Sequence, residues 1–362
     1  MRIMQLTGTT TGGAGRHAQD LTRGLREEGH RTVLAGPANV VCAVESPTAI
    51  IDIAERPRPT DLRTLIRLRA VAAGAQVVHA HGLRAGGLAA LALLGRRRPA
   101  LVVTLHNKPV GGSAVRSVGA ALERLIAKRA QAVLGVSGDL VERMRDLGAA
   151  RAERALVPAP FPPDQAVEGA SPEAEELSRL RAELQLHEDT PVVLTLARLA
   201  PQKGLDLLAR VAAELERLVP GVRWLIAGGG PLGPELAARS EAEGLPLHLL
   251  GHRSDVPALL ALADVVVSTS SWEGQPLNLQ EALRAGRPIV ATDVGGTGEV
   301  TAEAARLVPY GDAAGLAAQI TELLTDRQQA EELGTAARRR AAELPSRADT
   351  LRQVQRCYHE VI

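Results

Sequence analysis

Two glutamates flank a tight turn in the segment SWEGQPLNLQEALRAGRP, residues 271–288. Gly274 permits a sharp bend, and Pro276 suits the first position of a following helix. Glu273 then lies just before the helix, and Glu281 lies in its second turn. One interpretation is a capping carboxylate with a surface glutamate. The other is a pair of carboxylates that accept hydrogen bonds from a ligand.

The start of this helix is itself a candidate anion site. Its first N–H groups, on Leu277, Asn278 and Leu279, have no partner within the helix and are directed at whatever lies beside Glu273. Free amides and the positive end of the helix dipole favour a phosphate. We therefore expect a phosphate group next to a carboxylate.

Cationic and glycine-rich stretches follow two other predicted strands. Arg198 and Lys203 occur in ARLAPQKG, and Gly228 and Gly230 occur in GGGP. An arginine, a lysine and helix amides in one crevice describe a diphosphate site, and glycines let backbone approach a ligand closely. Because carboxylates repel phosphate, they should accept bonds from hydroxyls instead. Ligands that combine a diphosphate with many hydroxyls are nucleotide sugars.

The composition excludes several classes of protein. With 362 residues the chain is long enough for two domains. Lys+Arg number 42 against 41 Asp+Glu, so the net charge implies no attraction to nucleic acid. Two cysteines are too few for a disulfide framework or a zinc site. Two basic clusters, Arg96 to Arg98 and Arg338 to Arg340, are either solvated surface or contacts to an anionic membrane.

The location expected from the sequence is the cytoplasm, with the inner face of the membrane as a further option. The N-terminus, MRIMQLTG, lacks the shape of a signal peptide, and no apolar run is long enough to span a bilayer.

Strands and helices alternate along the whole chain. In the first half, Arg2 to Thr7 reads as a buried strand that leads through a glycine loop to a helix from about Arg16 to Glu28. Further strands are predicted at Arg31 to Ala35, Val77 to His81, Leu101 to His106, Ala132 to Val136 and Ala155 to Val157. His79, His81 and His106 lie at strand ends, where ligands bind in such sheets. We expect a satisfied structural role for His79 and His81, and leave His106 open.

A proline-rich, acidic stretch separates the two halves. We predict a first domain over residues 1–163, a linker over 164–185 and a second domain over 186–345, with a C-terminal helix from about 346 to 362 packing back on the first domain. The fold class expected is α/β, with two tandem doubly wound, Rossmann-like domains facing across a cleft.

The ordered set of motifs resembles retaining glycosyltransferases of the GT-B fold, family 4 (glycosyltransferase group 1) type. The matching residues are, in chain order, Gly12-Gly13, Thr104-Leu-His106, Arg198 to Lys203-Gly204, Gly228 to Pro231, Glu273-Gly274 and Glu281-Ala282. Each motif alone is weak, but together they cover nearly the whole chain. The resemblance also implies a bacterial protein.

The resemblance implies a role for each matched residue of the charged site. Arg198 and Lys203 would bind the donor diphosphate and assist its departure. Glu281 would bind the ribose hydroxyls. Glu273 would bind hydroxyls of the transferred sugar, and His106 would reach the same sugar from the first domain.

The remaining donor-binding residues would act through their backbone. By the same resemblance, Gly12 and Gly13 would leave room for the diphosphate or acceptor. Gly228 and Gly230 would approach the donor, and the backbone of His252 and Arg253 would lie by the base.

The expected activity is metal-independent, retaining transfer of a hexosyl group from a nucleoside diphosphate sugar, with UDP favoured as the nucleotide, to an acceptor hydroxyl. The acceptor would belong to an envelope polysaccharide, a glycolipid or a natural-product glycoside. No cofactor, metal ligand set or nucleic-acid partner is expected, whereas peripheral membrane contact is an option. Two alternatives stay open: a sugar-nucleotide epimerase of similar fold, and a catalytically silent nucleotide-sugar-binding relative.

Overall fold

The computed structural model describes residues 1–8, 12–42, 47–54, 57–108, 112–159 and 174–362. The chain divides into two compact units. The first unit comprises Met1–Pro158 and Pro345–Ile362, and the second comprises Ala159–Leu344. Each unit contains one parallel sheet, and each is described separately below.

The first unit is built on a seven-stranded sheet in the order β3-β2-β1-β4-β5-β6-β7. Its inner strands are rich in valine, alanine and leucine and are buried on both faces, as expected when helices cover a parallel sheet. They are β1 (Arg2–Thr7), β2 (Arg31–Gly36), β3 (Thr48–Ile50), β4 (Val77–His81), β5 (Ala100–Leu105), β6 (Ala132–Gly135) and β7 (Ala152–Arg154).

Helices connect these strands, and the last helix of the chain joins the same unit. They are α1 (Gly13–Glu27), α2 (Ala38–Val41), α3 (Asp61–Ala72), α4 (Leu83–Ala92), α5 (Ser113–Arg129), α6 (Gly138–Asp146) and α15 (Arg347–Val361). Helix α15 begins with a capping box, in which Ser346 and Asp349 bond each other's backbone N–H. It packs beside α1, where a side chain at Gly24 would lie 2.7 Å from Leu351.

The second unit is built on a six-stranded sheet in the order β10-β9-β8-β11-β12-β13. Aliphatic clusters lie on both faces, with Trp224 buried in one of them. The strands are β8 (Val192–Leu196), β9 (Arg223–Ala227), β10 (Leu247–Gly251), β11 (Val265–Ser268), β12 (Ile289–Thr292) and β13 (Arg306–Val308). The helices are α7 (Ala174–Glu183), α8 (Leu205–Leu218), α9 (Gly233–Glu243), α10 (Val256–Leu262), α11 (Leu277–Arg284), α12 (Thr297–Thr301), α13 (Ala313–Thr325) and α14 (Arg327–Glu343).

The strand order reverses once in each sheet, between β1 and β4 and between β8 and β11. Ligands of such sheets bind at the carboxyl ends of the strands next to this reversal. The predicted fold class, two doubly wound α/β sheets, is confirmed.

Several elements differ from those expected. The last strand of the first sheet is Ala152–Arg154 rather than 155–157, because a strand of three residues carries too little pattern to locate. Part of the stretch expected as a linker, 164–185, forms α7, and its Leu177 and Leu180, with Leu184 just beyond the helix, pack into the core of the second unit at helical spacing. Charged residues around these leucines made the stretch look like a solvated linker. Residues 164–173 of this stretch lie outside the described part.

Candidate functional site

Lys203 and Glu273 form an ion pair at the strand reversal of the second sheet. Lys203 follows β8 and Glu273 follows β11, and Lys203 Nζ lies 2.6 Å from Glu273 Oε1. Ser270 Oγ donates a hydrogen bond of 2.6 Å to the same oxygen. Glu273 is only 5% exposed, so these donors replace much of its lost hydration. Lys203 has two further N–H groups, for which the described residues offer no acceptor, and it is therefore able to bind an anion beside Glu273.

The turn that carries Lys203 is clamped onto the segment after β11. Gly204 has φ +62°, and a Cβ there would lie 2.0 Å from the carbonyl oxygen of Thr269. Thr269 Oγ1 donates to the Lys203 carbonyl oxygen at 3.0 Å, and Gln202 Nε2 donates to the Trp272 carbonyl oxygen at 2.8 Å. Residues 70 positions apart in sequence are thereby fixed in one local structure.

The glycine run after β9 packs against the segment that carries Arg198. A Cβ at Gly228, where φ is +144°, would lie 1.9 Å from the Ala197 carbonyl oxygen, and one at Gly230 would lie 2.3 Å from that of Leu199. These glycines are thus required by the protein's own backbone. Arg198, between the two approached residues, has an exposed side chain on a fixed main chain.

Helix α11 places its first amides at the same sheet edge. It begins at Leu277, with Pro276 as the N-cap residue rather than the first helical residue. The Asn278 side chain donates to the carbonyl oxygen of Leu196, at the end of β8, at 2.9 Å. Since β8 also leads to Arg198 and Lys203, the helix start is joined to the strand that carries both cations. Glu281 is half-buried in the second turn.

The segment after β10, expected near a base, is organised by Arg253. Its Nε and Nη2 bond the carboxylate of Asp255 at 2.8 and 2.6 Å, and its Nη1 bonds Glu183 at 2.7 Å. These hydrogen bonds raise the pKa of Arg253 above its ordinary value and lower that of Asp255. The guanidinium is therefore committed to the protein, and the neighbouring His252 side chain is exposed.

A cluster of histidines lies at the carboxyl edge of the first sheet. The ring centroids of His17, His81 and His106 are 5.6 to 5.7 Å apart, and His79 lies 4.3 Å from His81. Burial lowers the pKa of His17 to about 4 and, with His17 nearby, that of His79 to about 3. Burial and the neighbouring rings also bring the pKa of His81 and His106 well below the ordinary value. At neutral pH all four rings are neutral.

His106 lies just beyond β5 and is half-buried. Its Nε2 is 3.4 Å from His81 Nδ1. The glycine turn after β1 lies in the same unit: Gly13 opens α1, and a Cβ at Gly12 would meet no atom within 4 Å. Thr9 to Thr11, in the predicted glycine loop, lie outside the described residues.

Neither a metal site nor a membrane span is found in the described residues. No group of three or more His, Cys, Asp or Glu side chains among them could hold a metal ion. None of the helices described is long and apolar enough to cross a membrane.

Sequence reasoning missed several polar side chains that these groups contact. Ser270 precedes Glu273 by three residues, and its place between a strand end and a carboxylate was the available signal. His17 lies one turn into α1, and its spacing from the glycine loop could have drawn attention. Gln5 and Tyr358, which bond the buried histidines, gave no signal, because they are 353 residues apart.

Two family models match the chain, one in each half. The model of glycosyl transferases group 1 matches residues 178–340. That of glycosyltransferase family 4 matches residues 11–165.

Curated relatives carry the same kind of name. The chain is 30% identical over 275 residues to a GDP-mannose-dependent alpha-(1-6)-phosphatidylinositol monomannoside mannosyltransferase of Mycolicibacterium smegmatis, covering 70% of this chain and 69% of that protein. It is 32% identical over 182 residues to an alpha-D-kanosaminyltransferase of Streptomyces kanamyceticus, covering 49% of this chain and 46% of that protein.

Solved structures share the whole fold. Anabaena HepE, crystallised in complex with UDP, superposes with a TM-score of 0.82 at 22% identity, over 99% of this chain and all of that one. Sucrose-phosphate synthase of Thermosynechococcus elongatus superposes with a TM-score of 0.78 at 20% identity, over 100% of this chain and 99% of that one. These likenesses establish the fold.

Proposed function

Because the chain belongs to the group 1, family 4 glycosyltransferases, we propose that it moves a hexosyl group from a nucleoside diphosphate sugar to an acceptor hydroxyl, with retention at the anomeric carbon and without a metal. The observation that carries the proposal is the Lys203–Glu273 pair at the strand reversal of the second sheet. It places a cation able to bind a diphosphate beside a carboxylate able to bind sugar hydroxyls.

The proposed chemistry exchanges one bond at the anomeric carbon for another. The bond from this carbon to the diphosphate oxygen breaks, and a bond to the acceptor oxygen forms on the same face. A β-phosphate oxygen takes the acceptor's proton. Arg198, Lys203 and the first amides of α11 stabilise the negative charge that grows on the leaving group. Glu273 orients the sugar and makes no covalent bond, unlike the nucleophile of a retaining glycosidase.

The donor's nucleotide and the acceptor are the finer parts of the proposal. Glu281 binds the ribose, and the backbone at His252 and Arg253 lies by the base. UDP is the nucleotide expected from the sequence, and HepE was crystallised with it, whereas a relative of 30% identity is named for GDP-mannose. Among acceptors we propose a lipid-linked or polysaccharide hydroxyl first, since that relative is named for a phosphatidylinositol mannoside, and a natural-product glycoside second, since another is a kanosaminyltransferase.

The decisive experiment is a calorimetric titration with UDP-, GDP-, ADP- and TDP-sugars in the presence of EDTA. We expect one nucleotide to bind to the wild type and its affinity to fall about tenfold or more in Lys203→Ala, since a charge-assisted contact to phosphate is lost. Lys128→Ala is the matched control, because it removes the same charge from an exposed position on α5. Binding of none of the nucleotides would refute the proposal.

Turnover assays separate the proposal from its alternatives. Conversion of the donor sugar without an acceptor would indicate an epimerase, and tight binding with no turnover across an acceptor panel would indicate a silent relative. The anomeric configuration of the product, read by NMR, tests retention.

We also propose that the first unit contacts an anionic membrane surface through the outer face of α3. Leu62 and Ile66 are 66% and 65% exposed, one turn apart, and Arg63 and Arg67 lie exposed beside them. Exposed apolar side chains among arginines suit the interface of an acidic bilayer. The cluster Arg96 to Arg98, also exposed, follows the neighbouring α4.

Sedimentation with lipid vesicles tests this contact. Binding to vesicles with acidic headgroups should weaken in the double variant Leu62→Ser with Ile66→Ser. It should be unchanged in Leu218→Ser, which alters a leucine of the second unit that is 53% exposed. No difference between acidic and neutral vesicles would contradict the proposal.

A further inference from the structure

A continuous chain of hydrogen bonds joins the C-terminal helix to His106. Gln5 Nε2 donates to Tyr358 Oη at 2.8 Å, and His81 Nε2 lies 2.7 Å from Gln5 Oε1. His106 Nε2 then lies 3.4 Å from His81 Nδ1. On the other side, His79 Nδ1 lies 2.6 Å from Tyr358 Oη, and its Nε2 lies 2.7 Å from Thr104 Oγ1.

The sheet register explains why these side chains meet. Gln5 pairs with His79, and His81 pairs with Thr104, across neighbouring strands. Alternate residues of a strand share one face, so Gln5, His79, His81 and Thr104 form a polar layer on the same face. Helix α15 brings Tyr358 to this layer. All five side chains are buried, so each polar atom depends on its partner within the protein.

The orientation of the Gln5 amide sets the direction of every other bond in the chain. Because Gln5 Oε1 only accepts, His81 must carry its proton on Nε2. A neutral His81 then has a lone pair on Nδ1, and His106 must donate to it from Nε2. Likewise, Tyr358 Oη accepts from Gln5 and gives its own proton to His79 Nδ1, so that His79 Nε2 donates to Thr104.

We infer that Gln5 and Tyr358 are positioning residues that hold His106 as the Nε2–H tautomer, so that its Nδ1 is a hydrogen-bond acceptor for a hydroxyl of the transferred sugar. The tautomer follows from the hydrogen bonds within the first unit alone. Its use on a sugar rests on the proposed function.

The charge state of the rings agrees with this assignment. Burial and neighbouring rings keep the pKa of His79 and His81 far below neutrality, and burial brings the pKa of Tyr358 well above its ordinary value. The chain therefore contains neutral groups, each of which offers one donor and one acceptor in line. The hydrogen bonds of such a chain can run in either of two directions. Exchange of the oxygen and nitrogen of the Gln5 amide would reverse donor and acceptor in every bond.

Histidine 15N NMR of the full-length protein tests the tautomers directly. His81 and His106 resonances, assigned through His81→Gln and His106→Gln, should each show protonated Nε2 and unprotonated Nδ1. In Tyr358→Phe the Gln5 amide loses the acceptor for its Nε2 and becomes free to rotate, so both histidines should become mixtures of tautomers. Nδ1–H at His106 in the wild type, or unchanged tautomers in Tyr358→Phe, would overturn the inference.

The matched control is Thr350→Val in the same helix. Thr350 is buried, and its Oγ1 donates to the Leu156 carbonyl oxygen at 3.1 Å, outside the chain of histidines. Both variants remove one buried hydroxyl from α15. A purely structural role for Tyr358 would make the two variants alike, whereas the inference requires that only Tyr358→Phe alters the tautomers.

Enzyme kinetics test whether the tautomer of His106 affects binding of the sugar. Tyr358→Phe should raise KM for the nucleotide sugar about three- to tenfold, as expected for one hydrogen bond, and leave the Kd of the free nucleoside diphosphate unchanged. Altered tautomers with no change in KM would overturn the role of Nδ1. If the tautomers follow expectation but no nucleotide sugar binds at all, the proposed function fails while the assigned tautomers stand.

Discussion

At the scale of single residues, one carboxylate oxygen dominates the electrostatics around the Lys203–Glu273 pair. Glu273 Oε1 accepts from both Lys203 and Ser270. In the proposed donor complex, Lys203 must also neutralise phosphate oxygens that Glu273 repels. The carboxylate therefore weakens nucleotide binding while it orients the sugar.

This conflict predicts opposite effects on binding and on transfer. Glu273→Gln should bind the nucleoside diphosphate more tightly, by about 1 kcal/mol or roughly fivefold, because a negative charge beside the phosphates is removed. Transfer should slow by about tenfold or more, because an amide orients sugar hydroxyls less strongly than a carboxylate. Calorimetry with the free nucleotide and single-turnover assays measure the two effects.

Glu123→Gln is the matched control for this prediction. Glu123 is also a buried carboxylate paired with a cation, Arg143 at 2.6 Å, but it lies in the first unit. Both substitutions should lower stability, and only Glu273→Gln should alter nucleotide affinity. Weaker nucleotide binding by Glu273→Gln would show that Glu273 supports the cation more than it opposes the phosphate.

At the scale of elements, the turn between β8 and α8 determines where Lys203 is held. Gly204, the residue after Lys203, combines a left-handed backbone with close approach to the Thr269 carbonyl oxygen. An alanine there would be strained and would also have to displace backbone. The clamp between the two segments would open, and Lys203 would move away from Glu273.

Two glycines with nearly equal φ allow the cost of a strained backbone at alanine to be measured apart from the cost of displacing neighbouring atoms. Gly204 has φ +62°, and Gly244, at the end of α9, has φ +63° with no atom within 4 Å of the place that a Cβ would take. Gly244→Ala should lower the free energy of unfolding by about 1 kcal/mol, from the left-handed backbone alone. Gly204→Ala should lower it by about 3 kcal/mol or more. Denaturant titrations followed by tryptophan fluorescence measure both costs.

Nucleotide binding provides the second readout for these glycines. Gly204→Ala should lose affinity for the nucleoside diphosphate, and Gly244→Ala should retain it. Equal stability losses in the two variants would mean that the Thr269 segment accommodates the extra carbon without cost.

At the scale of the whole molecule, acid should destabilise the two units unequally. Four neutral, largely buried histidines lie in the first unit, with a pKa of about 4 for His17 and about 3 for His79. Below a pH of about 6.5 the unfolded chain binds protons at these positions and the native chain does not, so stability is lost as pH falls. Between about pH 6.5 and 5 this amounts to about 1.6 kcal/mol for each of His17 and His79.

The positions of the tryptophans make this prediction measurable. The chain has two tryptophans, Trp224 and Trp272, and both belong to the second unit. Among the described residues of that unit, only His248 is a histidine with a lowered pKa, and it is half-buried. Between about pH 7.5 and 5, calorimetry should show a transition that moves to lower temperature more than the fluorescence transition does. Equal shifts by both methods would contradict the assignment of the acid-sensitive groups to the first unit.

The sequence by itself determined the fold class and most of the elements. Regular alternation of apolar strands and amphipathic helices predicts parallel sheets, and several elements occur at the expected bounds, among them β1 and β4. Motif order also predicted the family. The same logic predicts that Lys203 and Glu273 lie at one edge of the second sheet, because both follow strands of that parallel sheet, whereas their ion pair is a finding of the structure. Short elements, such as β3 and α12, lacked enough periodic residues to be seen.

Only the tertiary structure decided which polar groups touch. The glycines at 228 and 230 are explained by backbone approach to Ala197 and Leu199, which no local pattern encodes. The chain from Tyr358 through Gln5 to the histidines needs a helix from the end of the sequence to dock on strands from its beginning. Sequence patterns report which face of an element is buried, whereas hydrogen-bond partners depend on the packing of elements that are distant in the chain. The tautomer of His106 is therefore a property of the folded unit.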